Sequence, residues 1–265
     1  MKTHFKTSLV ITTYNWPEAL ELVLLSVKRQ TLLPDEVIIA DDGSKQETTA
    51  LINTFKSDFP CLLQHFWHED AGFRRTVVLN KTIAQTNSDY IIQVDGDCIL
   101  HRDFVKDHIK TVKPGTYLYG SRVTLKKELL PGIFNNKTIT FNFLNKGIKK
   151  RGRALHIPLF SRLYKAHSGL SNKLRGCNLS YWRKDFISVN GYNEDMTGWG
   201  RDDSELVVRM LNRGVRGKRL KFRGIMFHIY HPVKSRERLN INDTIQQQSI
   251  AEKSTWCKNG VDKYL

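Results

Sequence analysis

Two pairs of carboxylates carry the spacing that chemistry needs. Asp95 and Asp97 flank a glycine at the end of the apolar run YIIQV, residues 90–94, and Asp202 and Asp203 stand side by side at the head of DDSELVVRMLNRG. Two acids two residues apart on the rigid end of a strand can share one divalent cation; left unpaired they repel and raise each other's pKa. An acid within reach of a substrate hydroxyl can take its proton. His228 and His231, in HIYHP, offer imidazole nitrogens to the same ion. Residues three apart in an extended strand face opposite ways, so a regular strand would bring only one of these histidines to it. Each feature also has a structural explanation. Asp95-Gly96-Asp97 reads as a turn, and Asp202 with Glu205 has capping-box spacing at a helix start, where acids are favoured by the dipole.

Positioning these groups falls to a regular series of elements. SLVITTY (8–14) reads as a strand, and NWPEALELVLLSVKRQ as a helix with Asn15 as N-cap, Pro17 in its first turn and Leu20, Val23, Leu24 and Val27 at helical spacing. EVIIA (36–40) and CLLQHFW (61–67) predict strands, while KQETTALINTFKS and RRTVVLNKTIAQT predict the helices that follow them. Tyr90–Val94 is the fourth strand. Such alternation implies an α/β fold with a mostly parallel sheet and helices on both faces, because parallel neighbours need a crossover. Ligands in such sheets bind outside the carboxyl ends of the strands, where TTYN, DDGS and VDGD all fall. Leu206, Val207, Met210 and Leu211 mark one face of a later helix that ends near Gly214.

A chain of 265 residues with 40% hydrophobic and 26% charged content is globular, not disordered. No apolar run is long enough to span a membrane and the first residues do not form a signal peptide, so a cytoplasmic chain is expected. Cys61, Cys98, Cys177 and Cys257 are widely separated, without zinc-site spacing, and are expected to be reduced. The net charge of +16 is uneven: between Glu128 and Asp185 there is no acidic residue and there are twelve Lys and Arg, including KGIKKRGR at 146–153. That excess invites nucleic acid, an anionic membrane or a phosphorylated substrate. Aromatic residues do not interleave with the basic ones as a base-stacking surface requires, which argues against nucleic acid.

Six segments in order, SLVITTYN, EVIIADDGS, GFRRTVVLNKTI, YIIQVDGDCILHRDFV, GCNLSYWRKDFISVNGYNEDMTGWGRDDSEL and FHIYHP, resemble glycosyltransferase family 2, of the nucleotide-sugar-binding GT-A type. The Gly-Trp-Gly-x-acidic-Asp element also resembles the acceptor motif of galactosyltransferases. The resemblance implies a GT-A-like fold and transfer of a sugar from a nucleoside diphosphate with inversion. It places Thr13 and Tyr14 at the nucleotide, Asp41 or Asp42 on the uridine, and a donor-contacting arginine at Arg74, with Arg75 as the neighbouring register. Asp97 and His231 become ligands of Mn²⁺ or Mg²⁺, with Asp95, beside Gly96, on the ribose or on the ion through water. Trp199 and Gly200 belong to the acceptor site. The base falls at Asp203, with Asp202 standing where the family commonly has Glu.

The resulting expectation is one GT-A-like domain: a nucleotide-sugar half at 1–122, a basic, partly helical insertion at 123–174, an acceptor and catalytic half at 175–232, and a helical tail at 233–265. It would move a hexose or N-acetylhexosamine from a UDP-sugar to a glycan acceptor, lipid-linked or not, in bacterial surface polysaccharide or lipopolysaccharide assembly. Basic residues and LFSRLYKAHSGL (159–170) could hold it peripherally on an anionic membrane at the inner face of the cell membrane. The rival is a basic nucleic-acid- or glycan-binding protein without transferase activity.

Overall fold

The structure is a computed structural model that describes residues 5–232 and 235–265. Strands β1 (Thr7–Thr13), β2 (Glu36–Asp41), β3 (Leu62–Trp67) and β4 (Tyr90–Asp95) alternate with helices α1 (Pro17–Lys28), α2 (Gln46–Lys56) and α3 (Arg75–Gln85). Each element lies within a residue or two of its expected bounds. The next are β5 (Cys98–Leu100), α4 (Phe104–Thr111), β6 (Thr116–Tyr119), β7 (Arg122–Leu125), α5 (Leu130–Asn135) and β8 (Ile148–Lys149). The chain continues through β9 (Asn178–Trp182), α6 (Arg183–Ser188), α7 (Asp202–Asn212), β10 (Arg216–Arg219), β11 (Met226–His228) and α8 (Leu239–Ala251).

Seven strands form the main sheet in the order β10-β6-β9-β4-β1-β2-β3. All neighbours are parallel except β9, which runs against both β4 and β6. The carboxyl ends of β1, β2, β4, β6 and β10 and the start of β9 therefore lie along one edge. Alternation along β1 divides the core: Leu9 and Ile11 pack with α1, α2 and α4, and Val10 with α3, α6 and α7. Each such buried side chain contributes roughly 1.5–3 kcal/mol.

A smaller sheet, β5-β11-β7-β8, stands beside this edge. It includes β7 and β8 from the basic interval, so that segment is stitched to the strand carrying His228 rather than hanging free. Only α5 and short 3₁₀ turns there are helical. LFSRLYKAHSGL forms one such turn, Phe160–Leu163, with Leu159, Phe160 and Leu163 exposed. Its apolar residues have no common face to bury, and Pro158 and Gly169 bound it.

Asn15 does not cap α1. Trp16 occupies that position, and Asn15, at φ +47°, instead ties two loops, its side chain accepting from Lys45 N–H (2.8 Å) and its N–H donating to Ser44 Oγ (2.9 Å). The chain's last segment is not a detached tail. Asn242 of α8 donates to the carbonyls of Thr197 and Gly200 (3.0 and 2.9 Å), and Val261 joins the core beside α3.

Candidate active site

The Asp95-Gly96-Asp97 turn is where β4 leaves the main sheet and β5 enters the small one. Gly96 N–H donates to the Thr12 carbonyl at 2.7 Å, and a Cβ on Gly96 would come within 2.9 Å of that oxygen. The turn is thus pressed onto the end of β1, and Thr12 Oγ1 donates to Asp95 at 3.0 Å. Beyond the turn, Cys98 is the cross-strand neighbour of His228. That register brings His228 Nε2 to 3.5 Å from Asp97 Oδ2, and His231 Nε2 lies 3.3 Å from the same oxygen.

Both histidines therefore face Asp97, contrary to the strand-period argument. The reason is that β11 stops at His228, and Ile229 N–H donates to the Asp97 carbonyl (2.9 Å), turning the chain back over the acid. His231 Nδ1 donates to the Pro232 carbonyl at 2.6 Å, which leaves Nε2 as the nitrogen turned to Asp97. Burial holds His228 below its usual pKa, favouring the neutral ligand form. Burial works to raise Asp97, but the hydrogen bond from His231 and the nearby His228 outweigh it and hold the carboxyl low. One carboxylate and two imidazoles fit a divalent transition metal.

Arg75 is the hub of the other acids. From the start of α3 its guanidinium reaches Asp202 (2.8 Å), Asp203 (3.1 Å) and Asp95 (3.2 Å), with 13% of its side chain exposed. Burial opposes its charge, yet the three carboxylates keep its pKa well above the ordinary value. Asp202 is pushed up to about 7, by burial first and by the charge of Asp203 second, against the pull of Arg75.

The expected capping box is not formed. Arg201, at φ +72°, is the residue before α7, Asp202 is already helical, and Glu205 turns to Arg209 and Ser249 instead. Asp203 is the more open of the two acids, 22% exposed against 11%. Its Oδ1 takes donors from Arg75, Tyr192 (3.0 Å) and Gln93 (3.5 Å), while no hydrogen bond among the described residues falls on Oδ2. Burial, then Asp203, hold the Tyr192 phenol protonated, so it is a fixed donor.

At the β1–β2 end, Asp41 is fully buried, accepting from Ser44 N–H (2.8 Å) and meeting His65 (2.9 Å). Asp42 meets His68 (2.8 Å) and accepts from Arg74 N–H (3.0 Å); burial raises its pKa, offset in part by those two partners. Thr13 is buried at the end of β1, and the half-exposed Tyr14 donates to Asp70 (2.9 Å). The Arg74 side chain turns away to the Glu69 carbonyl. Of the two arginine registers, Arg75 is the one that reaches the acids. Trp199, 42% exposed, lies over Arg236 and lines a groove with Phe73, Gly198 and Arg238; Gly200 sits at φ +111° beside Leu239.

Sequence reading missed Gly176. A Cβ there would lie 1.8 Å from Asp203 Oδ2, so only glycine lets that acid sit where it does. It missed Tyr192 and Gln93 as well. No spacing rule links them to Asp203; only the sheet register does.

A mostly parallel sheet with acids and histidines gathered at the carboxyl ends of its strands defines a GT-A-type fold. Solved structures agree: TarS of S. aureus in complex with UDP aligns with a TM-score of 0.60 at 14% identity, covering 94% of this chain and 68% of that one. The mannosyltransferase PcManGT of Pyrobaculum calidifontis, in complex with GDP-Man and Mn²⁺, gives 0.60 at 17% identity, covering 91% and 61%. Residues 8–165 match the model of glycosyl transferase family 2, and residues 159–232 that described as N-terminal domain of galactosyltransferase. The chain belongs to glycosyltransferase family 2. Relatives include chondroitin synthase of Escherichia coli, 24% identical over 78% of this chain and 32% of that protein. Validoxylamine A glucosyltransferase of Streptomyces hygroscopicus subsp. limoneus is 24% identical over 78% and 48%, and the O-antigen chain rhamnosyltransferase RfbN of Salmonella typhimurium is 34% identical over 36% and 29%. The match thus spans half or less of each relative's length.

Proposed function

We propose that the protein is a metal-dependent, inverting glycosyltransferase that moves a hexose or N-acetylhexosamine from a UDP-sugar to a glycan hydroxyl in surface polysaccharide or lipopolysaccharide assembly. The observation that carries this is the convergence of Asp97, His228 and His231 on one point, with Asp95, Arg75, Asp202 and Asp203 beside it. Asp97 and the two histidines would hold the ion; Mn²⁺ suits two imidazoles better than Mg²⁺ does. When bound, such an ion would neutralise diphosphate charge as the nucleotide leaves. Asp41 or Asp42 would meet the uridine, Thr13 and Tyr14 the nucleotide, and Trp199 with Gly200 the acceptor sugar. Asp203 takes the acceptor's proton: its Oδ2 carries no hydrogen bond among the described residues, and Arg75 and Tyr192 fix its orientation.

The relatives that make or extend polysaccharides support the setting, and the UDP and Mn²⁺ complexes of the structural neighbours support the donor and the ion. A screen of UDP-sugars for UDP release, with and without EDTA, tests the reading. Release should stop with EDTA and return more fully with Mn²⁺ than with Mg²⁺. Release from a UDP-sugar that is indifferent to EDTA would remove the metal from the mechanism, and no release from any UDP-sugar would remove the donor class.

A further inference from the structure

Along the site edge of the main sheet, the β1–β2 end carries acids and the β9-β6-β10 end carries cations. Arg219 closes β10, Arg122 opens β7 just after β6, Arg175 precedes β9, and Lys150 and Arg153 flank the turn after β8. Hydrogen bonds draw them together. Arg153 Nη1 donates to the Arg122 carbonyl at 3.1 Å, and Arg219 Nη2 to Ser121 Oγ at 3.3 Å. Asn178 Nδ2 donates to the Ser121 carbonyl at 3.2 Å, which holds the Arg175 loop against the same two residues. No ion pair to any of these five side chains is found among the described residues, and the sequence from 129 to 184 contains no acid to supply one. The Nε of Arg219 is buried without a hydrogen-bond partner there.

The repulsion shows at Lys150 and Arg153. Lys150 is depressed first by Arg153, then by partial burial, Arg122 and Arg175; Arg153 is depressed first by burial, then by Arg219, Arg175 and Arg122. Five like charges gathered with no ion pair among the described residues are an arrangement that a bound anion relieves. The planar forks of arginine match the oxygens of a phosphate.

The cluster also has a direction. Arg175 is followed by Gly176, the residue on which Asp203 rests. Arg122 lies close enough to Asp95 and Asp97 to feel their charge. A group seated among the arginines would therefore adjoin the base on the side of the sheet away from β2 and Asp42.

We propose that Arg122, Lys150, Arg153, Arg175 and Arg219 form a receptor for a phosphate group carried by the acceptor, beside the hydroxyl that receives the sugar. This rests on the transferase reading above and adds to it the class of acceptor: a phosphorylated glycan or a sugar linked through phosphate to a carrier.

The test uses the whole protein with its donor site filled by UDP and Mg²⁺ and inorganic phosphate as the probe, followed by calorimetry. Phosphate should bind saturably and weaken with added salt. Arg153→Gln/Arg219→Gln should lose about tenfold or more of that affinity while its affinity for UDP stays within about twofold. Should that pair fail to fold, Lys150→Gln/Arg175→Gln removes two exposed members instead, with the same expectation. Absence of phosphate binding to the UDP-loaded protein overturns the proposal. So does a parallel fall in UDP affinity, which would assign the cations to the donor diphosphate. Loss of co-sedimentation with phosphatidylglycerol vesicles while phosphate binding persists would assign them to a membrane surface and equally overturns it. In each of these cases metal-dependent UDP release by the wild type is untouched, so failure here is distinct from failure of the transferase reading.

Discussion

Replacing Arg75 by Gln tests the electrostatic centre of the site. The guanidinium lies 2.8, 3.1 and 3.2 Å from Asp202, Asp203 and Asp95, and only 13% of its side chain is exposed. Glutamine keeps the reach and some hydrogen bonding but leaves three clustered carboxylates without a cation. Breaking a buried ion pair by removing one partner costs about 3–5 kcal/mol. The cost depends on pH. Asp202 already titrates at about 7 in the folded protein, above the ~3.9 of an unfolded Asp. Between those values the folded state holds the extra proton, so this group's contribution to stability is fully present at low pH and is lost as pH rises through about 7. Arg75 is what lowers the Asp202 pKa toward neutrality, so in Arg75→Gln the loss continues above pH 7. Urea unfolding at a series of pH values reads this directly. The stability gap between wild type and variant should hold steady from pH 5 to 7 and widen by about 1.4 kcal/mol per pH unit above that. A gap that is constant with pH, or a variant as stable as the wild type at pH 8, would refute the picture of Arg75 as the group that allows the acids to coexist.

Asp97→Ala should abolish the metal-dependent part of UDP affinity, whereas His231→Ala and His228→Ala should each weaken it and shift the preference from Mn²⁺ toward Mg²⁺; calorimetry with each ion checks this. Asp203→Asn should fold, bind UDP and metal normally and lose transfer by about a hundredfold or more. Asp202→Asn should lose less, and a larger loss there at unchanged acceptor affinity would move the base to Asp202. Gly176→Ala drives a methyl into Asp203, so transfer should fall as in Asp203→Asn while metal-dependent UDP binding is retained, separating the two halves of the site in one variant.

Strands β1 to β4 and the helices between them were legible because their signals are local: runs of β-branched residues, helical spacing after each, and turn residues between. So was the edge on which Asp97 and Asp203 stand. Local rules failed where a competing contact won. Asn15 has the chemistry of a cap, but cross-linking two strand-end loops took its side chain. Asp202 and Glu205 have capping-box spacing, but Arg75 and Arg209 offer each a full charge, which outcompetes a backbone N–H. Strand periodicity did not place His228 and His231 together because a period of two applies only while a strand lasts, and β11 lasts three residues. Gly176, Tyr192 and Gln93 come to Asp203 only through the pairing of β4 with β9, which a single sequence does not declare.

The reversed direction of β9 has a consequence for how this molecule can diversify. Because that strand enters from the site edge, the whole interval between β6 and β9 forms an excursion whose two ends are fixed on neighbouring strands, while β1 to β4 and their crossovers close without it. Such an excursion can lengthen, shorten or exchange its charges without disturbing the register of the strands around the nucleotide end. Chimaeras that trade this stretch between relatives should accordingly inherit the donor of one parent and the acceptor of the other.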